Sequence, residues 1–229
     1  MRQTQAHQLL ESWEAARSQP MPVRAAALAA LASDCPLGEV MRWSIPRRDR
    51  ALFAFRAQVF GDTVDGVTNC PRCAAPLELQ LSLSDVRPDD DAATSPEWRT
   101  LRLASTRVRW RRPTTEDLVA VSGLRDTAGA RAALIARCIR TDDAMVRDNA
   151  AALLPAEPTD VHLNLRCPSC DHAWQTPFDI ATYAWRELDE WAQRTLHQIH
   201  VLARAYGWTE DDILRLSARR RQTYVEMNQ

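Results

Sequence analysis

Two four-residue segments constrain this chain more than anything else in it: Cys70-Pro71-Arg72-Cys73 and Cys167-Pro168-Ser169-Cys170. Cysteines separated by two residues can turn both sulfurs the same way. One such pair supplies half of a tetrahedral metal site, and two pairs complete an all-cysteine site with no open coordination position. In each pair Pro follows the first Cys and restricts the turn before any metal binds. Each pair also abuts strand-like sequence, so the pattern predicts a zinc ribbon with one structural zinc held by Cys70, Cys73, Cys167 and Cys170. Ribbons commonly leave about 15–20 residues between their pairs, whereas 93 intervene here. Loop-closure entropy grows only as the logarithm of length, so the longer insert costs roughly 1.5 kcal/mol more. Structural zinc supplies about 10–16 kcal/mol of apparent binding energy in small peptides. Zinc is thus expected to tie residues 66–83 to residues 161–178, leaving the segment between them as an inserted subdomain.

Two rivals to this reading are weaker. A redox-active Cys-x-x-Cys pair belongs at the start of a helix after a buried strand, and neither pair sits there. Zinc-bearing folding chaperones use repeated Gly-rich knuckles, and the chain has only 6 Gly. Cys35 and Cys138 have no partner in spacing and read as buried apolar thiols. His197 and His200 lie three apart on the polar side of a helix with no third ligand, and His172 is placed to orient a sulfur from outside the ligand set.

The remaining sequence is read by periodicity. Residues 5–17 carry Leu9, Leu10, Trp13 and Ala16 at helical spacing, an Ala-rich helix spans Val23 to Ala32, and a third begins near Ser44 and ends at Gly61. From Gly66 the period becomes that of strands, with Leu77, Leu79, Leu81 and Leu83 alternating with polar residues. A loop is expected from Asp85 to Pro96, then one bent strand or two short ones in LRLASTRVRW, a helix capped by Thr114 or Thr115, and a helix from Ala130 to Ile139. A loop holding Pro155 and Pro158 leads to strand-like VHLNLRC. A helix of about six turns then runs through Ala184, Trp185, Leu188, Ala192, Leu196, Ile199, Leu202 and Tyr206, stopped by Gly207. Thr209 and Ser217 open shorter helices.

The expected fold class is therefore α+β: mainly helical N- and C-terminal regions around a small β zinc ribbon, with a 93-residue α/β insert between the Cys pairs. The corresponding boundaries are a helical region 1–65, the ribbon 66–178 with a strand–helix subdomain 84–160 inserted in it, and a helical region 179–229. No apolar run approaches the roughly 20 residues that cross a bilayer. The N-terminus lacks the uninterrupted apolar stretch of a secretion signal. A cytoplasmic protein without a membrane partner is expected.

No Gly-rich phosphate loop, GxSxG, HExxH or dinucleotide fingerprint occurs. The carboxylate pairs Asp142–Asp143 and Asp211–Asp212 fall where helix starts or loops use them. The chain is accordingly not expected to be an enzyme or to take a small-molecule substrate. All 29 basic residues are Arg, and the net charge of -1 gives no global attraction to nucleic acid. Arg99 to Arg112 is locally Arg-rich, which leaves a nucleic-acid-binding ribbon as the alternative function. The Asp89–Asp91 tract beside it would cancel much of that field. The 8 Trp outnumber the 3 Tyr and 4 Phe, and Trp and Arg dominate protein interface energies. Trp185 reads as packing, while Trp13 and Trp191 are candidates for an exposed docking surface, with Trp208 at the end of the long helix.

Five segments in order, SIPRRDRALFAFRAQVFGD, CPRC, RWRRPTTEDLVAV, CPSCDHAWQTPFDIATYAW and HVLARAYGWTEDDILRLSARRRQTYVEM, give the chain a resemblance to a known family. It resembles zinc-ribbon-bearing proteins of contractile-tailed phages and related injection systems, grouped with the baseplate proteins of T-even phages. The likeness covers Pro36 to Met227, and its closing segment carries most of the weight. It implies a non-enzymatic role in building the baseplate and tail hub, as an assembly factor or minor structural component that binds a tape measure or hub subunit through helical surfaces. The Cys ligands carry over residue by residue. The Arg-rich turn with its following Tyr, Arg219 to Tyr224, adds Arg220 and Tyr224 as candidate partner-binding residues.

Overall fold

A computed structural model of the chain describes residues 3–86, 97–103, 106–141, 145–147 and 161–228. Most of the loop expected from Asp85 to Pro96, the tract Asp89–Asp91, the pair Asp142–Asp143 and the loop with Pro155 and Pro158 lie outside the described residues. The architecture is mixed helix and antiparallel sheet, compatible with the expected α+β class. The chain divides into two compact units, one formed by residues 1–19 with 182–229 and the other by residues 20–181. The helical stretch 1–65 is thus shared between them.

The larger unit begins with α2 (Met21–Ser33), α3 (Leu37–Val40) and α4 (Ile45–Phe60). Buried Ala25, Ala26 and Ala29 make α2 slim on the side where it packs against α4, whose Leu52, Phe53 and Phe55 are buried. Pro46 sits in the first turn of α4, where its missing N–H is harmless. Gly61 ends that helix at φ 92, a conformation that L side chains rarely adopt. Two hairpins enclose the cysteine pairs: β1 (Thr63–Asn69) pairs with β2 (Pro76–Ser82), and β6 (Val161–Arg166) with β7 (Ala173–Phe178). Between them come α5 (Leu83–Val86), a sheet of β3 (Arg99–Leu103), β4 (Thr106–Trp110) and β5 (Ile139–Arg140), and helices α6 (Thr115–Val121) and α7 (Thr127–Cys138). LRLASTRVRW therefore contains two strands, β3 and β4, paired antiparallel. Asp126, which the periodicity does not single out, starts α7 by accepting from the N–H groups of Ala128 and Gly129.

A buried ionic cluster fastens this region. Asp117 is 1% exposed and accepts from Arg111 Nη1 and Nη2 at 2.5 and 3.0 Å and from Arg137 Nε at 2.7 Å. It also completes a capping box with Thr114, at the start of α6. The backbone continues the fastening outward: Ile45 N–H donates to Pro113 O at 3.0 Å, Glu116 N–H to Met41 O at 3.1 Å, and Ser44 bridges Thr114. Cys138, expected among apolar neighbours, instead lies against charge, with its thiol 4.0 Å from both Asp117 Oδ2 and Arg111 Nη1. The last residue of α7 faces the cluster that α6 caps, a contact between elements that residue type alone does not reveal.

The smaller unit is all helical: α1 (Gln3–Ala16), most of α8 (Ile180–Tyr206), α9 (Glu210–Arg215) and α10 (Ala218–Glu226). The buried face of α1 is Ala6, Leu9, Leu10, Trp13 and Ala16, in helical period. Trp13, expected on an exposed docking surface, is only 4% exposed, and its Nε1 donates to Asp189 Oδ1 of α8 at 2.7 Å. A buried indole with its N–H satisfied serves the core. Gly207, at φ 70, ends α8, and Thr209 forms a capping box with Asp212 that starts α9. Leu202, Ile213 and Val225 close a small core there.

Burial alone would push the Asp117 carboxyl up, but the Arg111, Thr114 and Arg137 donors together hold it well below the usual carboxylate range. A group whose folded value is depressed contributes fully above its unfolded value of about 3.9 and loses that contribution as pH falls through the folded value. Stability should therefore fall below about pH 4, and Asp117→Asn should flatten that acid limb. Asp117→Ala should cost about 3 kcal/mol at neutral pH by leaving the mostly buried Arg111 without its counter-ion. Urea melts of the three proteins across pH check both statements.

Candidate metal centre

Each cysteine pair occupies the turn of a hairpin, and the two turns are built alike. In the first, β1 ends at Asn69 and β2 begins at its partner Pro76; in the second, Arg166 and Ala173 hold the same places. Cys70 N–H donates to Ala75 O and Ala74 N–H to Cys70 O, both at 2.9 Å. Cys167 N–H donates to His172 O and Asp171 N–H to Cys167 O, again at 2.9 Å. The fifth residue of each turn is left-handed, Ala74 at φ 59 and Asp171 at φ 57. For Ala that conformation costs about 1–2 kcal/mol, so the turn's hydrogen bonds hold a shape the local chain would not choose by itself.

The two turns bring four sulfurs together across 93 residues of intervening chain. All four lie within 4.8 Å of one another. Cys70 Sγ is 3.7 Å from Cys170 Sγ, and Cys73 Sγ is 3.6 Å from Cys167 Sγ. A regular tetrahedron with metal–sulfur bonds of about 2.3 Å has edges of about 3.8 Å. These two of the four cross-turn edges are close to that value, so the donor set fits a single tetrahedral ion. All six cysteines of the chain are free thiols. Among the described residues no other group of three or more His, Cys, Asp or Glu side chains converges in this way. His197 and His200 are both exposed on α8.

The surroundings favour thiolates at particular sulfurs. Cys70 and Cys167 are 2% and 1% exposed and pack with Leu77, against which Ala75, Leu79 and Trp174 lie. Arg72 N–H points at Cys70 Sγ at 3.4 Å. Desolvation opposes ionisation of Cys167, yet the backbone N–H groups of Ser169 and Cys170, with the neighbouring thiols, hold its pKa down at about 6. Cys170 receives the backbone N–H of His172, but burial and three adjacent sulfurs push it up to about 12. His172 thus reaches the site through its backbone, while its ring stacks on Trp174 at 6.1 Å. Four thiols this close cannot all ionise unaided. A bound dication reverses that balance by pairing with each thiolate.

The candidate partner-binding residues are placed differently. Trp191 is half-buried on α8. Trp208 and Tyr224 meet edge to face at 5.3 Å, and Tyr206 stacks on Trp208 at 4.6 Å. Arg220 is exposed one helical turn before Tyr224. Periodicity puts Tyr206 on the inner face of the helix, but it is 41% exposed and its ring packs in this aromatic group at the helix end.

Comparison with known proteins finds no matching family model, no matching curated protein and no matching solved structure.

Cys70→Ser and Cys167→Ser each remove a buried ligand. Either should abolish stoichiometric metal in elemental analysis and lower the melting temperature by at least about 10 °C, as loss of a structural metal site does. Cys35→Ser, outside the cluster, should leave both values unchanged.

Proposed function

We propose that the chain is a non-enzymatic, zinc-stabilised assembly factor or minor structural component of a contractile tail or injection-system baseplate. The all-sulfur donor set is the observation that supports a structural rather than catalytic role for the metal. Four Cys ligands fill a tetrahedron and leave no position for water or substrate, as in structural rather than catalytic zinc sites. A set of four thiolates suits zinc, with iron the other common occupant of such geometry. On this reading the two hairpins form a zinc ribbon with a long insertion, and the ion fixes their turns.

The tail assignment draws its support from the five ordered segments that resemble baseplate proteins. Its partner would be a tape measure or hub subunit, met in the cytoplasm of the producing cell. The helical unit offers the contact residues: Tyr206, Trp208 and Tyr224 form an aromatic group beside exposed Arg220, a combination of the residue types that anchor interfaces. Trp191 adds a half-buried ring on α8. Trp13 has no part in this surface.

The test compares two samples by quantitative mass spectrometry: a tagged pull-down from producing cells, and purified assembled particles. Fixed stoichiometry in both marks a structural component, and capture of tail proteins from cells alone marks a transient assembly factor. Recovery of tail proteins in neither overturns the reading. Arg220→Glu should weaken capture at least about tenfold, equivalent to about 1.4 kcal/mol, while the melting temperature of this exposed-site variant changes little.

A further inference from the structure

The sheet β3–β4–β5 has two chemically opposite faces. Directly paired residues share a face, so the register Arg102↔Arg107, Thr100↔Arg109 and Arg109↔Arg140 gathers four arginines on one side. All four are exposed. The other side carries Val108 and Ile139, both buried, with Trp110, Ile135 and Val146 packed against them. Like charges directly opposite one another destabilise a sheet, and here they occur twice, at Arg102–Arg107 and Arg109–Arg140. Among the described residues no carboxylate pairs with any of the four. Arg111, at the end of the row, is already committed to Asp117.

Trp98 organises the patch. The guanidinium groups of Arg140, Arg111 and Arg109 lie 4.2, 5.4 and 5.5 Å from its ring centroid. A guanidinium held against an aromatic ring keeps N–H donors at its edges available for a carboxylate or phosphate. The patch thus presents exposed cationic donors on one face of the sheet.

We infer that this face binds an acidic, extended segment of a partner protein, with Asp or Glu at alternate positions. Same-face residues along a strand recur about every 6.8 Å, and alternate side chains of an extended peptide have the same spacing, so carboxylates can meet arginines row by row. Two further observations choose this occupant over a single-stranded nucleic acid. Non-specific binding of single strands relies on open aromatic faces for base stacking, and three guanidiniums already crowd the Trp98 ring. The chain also has 29 Arg against 30 acidic residues, and a net charge of -1 gives it no global attraction for a polyanion. The inference does not depend on the tail assignment, because it concerns a different surface and any partner with that charge pattern.

Fluorescence anisotropy of the metal-loaded full chain tests it with three labelled probes: a peptide with Glu at alternate positions, a peptide with the same Glu residues contiguous, and an oligothymidylate of equal charge. The alternating peptide should bind best, and its affinity should drop at least about tenfold in Arg107→Gln/Arg109→Gln. That variant should melt no lower than the parent, since it relieves both facing like-charge pairs, so lost binding is not lost folding. Tighter binding of the oligothymidylate, or unchanged affinity of the alternating peptide in the double variant, would each overturn the proposal.

Discussion

The two hairpins of the larger unit meet at four cysteine sulfurs, held in turns built alike. Each hairpin is a two-stranded sheet, a structure at best marginal by itself in water. The apolar cluster joining them has three buried members, Cys70, Leu77 and Cys167, and two of these are cysteines of the site. That cluster is small, and the fifth residue of each turn is left-handed. As thiols the four sulfurs crowd one another, with one pKa pulled down to about 6 and another pushed up to about 12. Around a dication the same crowding becomes a filled coordination shell.

The segment between the turns has its own fastening, of a different kind. Arg111, Asp117 and Arg137 pair within a buried cluster, and the strand before α6 is tied back to the start of α4 through Ile45–Pro113 and Ser44–Thr114. Breaking a buried ion pair is more damaging than its net stabilisation suggests, because the remaining charge is stranded. This makes the cluster a determinant of one arrangement of α6 and α7 rather than a large source of stability. One face of the adjoining sheet is sealed by Val108 and Ile139, and the other is left to arginines. Cysteine cluster, ion cluster and basic face thus lie within one unit, the two cysteine turns flanking the other two in sequence.

Local chemistry is legible in the sequence, and long-range partnership is not. The cysteine quartet can be read because each turn is specified by four adjacent residues, and the sulfurs have few other uses at that spacing. Gly61, Gly207, Thr209 and Ser217 are legible as helix boundaries because caps act within three or four residues. Trp13 is misread because an indole at helical spacing looks the same whether it meets solvent or Asp189, which is 176 residues away. Cys138 is buried as its residue type suggests and Cys35 only half-buried, but the charged neighbours of Cys138, Asp117 and Arg111, are not legible for the same reason. The arginine run is visible, but only strand register shows that Arg102, Arg107 and Arg109 share a face with Arg140.

X-ray absorption at the metal edge of the purified protein tests the central claim most directly. The expected result is zinc at one equivalent with a shell of four sulfurs at about 2.3 Å and no nitrogen or oxygen ligand. A metal-free protein that melts normally, or a shell with fewer than four sulfurs, would contradict the account of the two turns as one closed site.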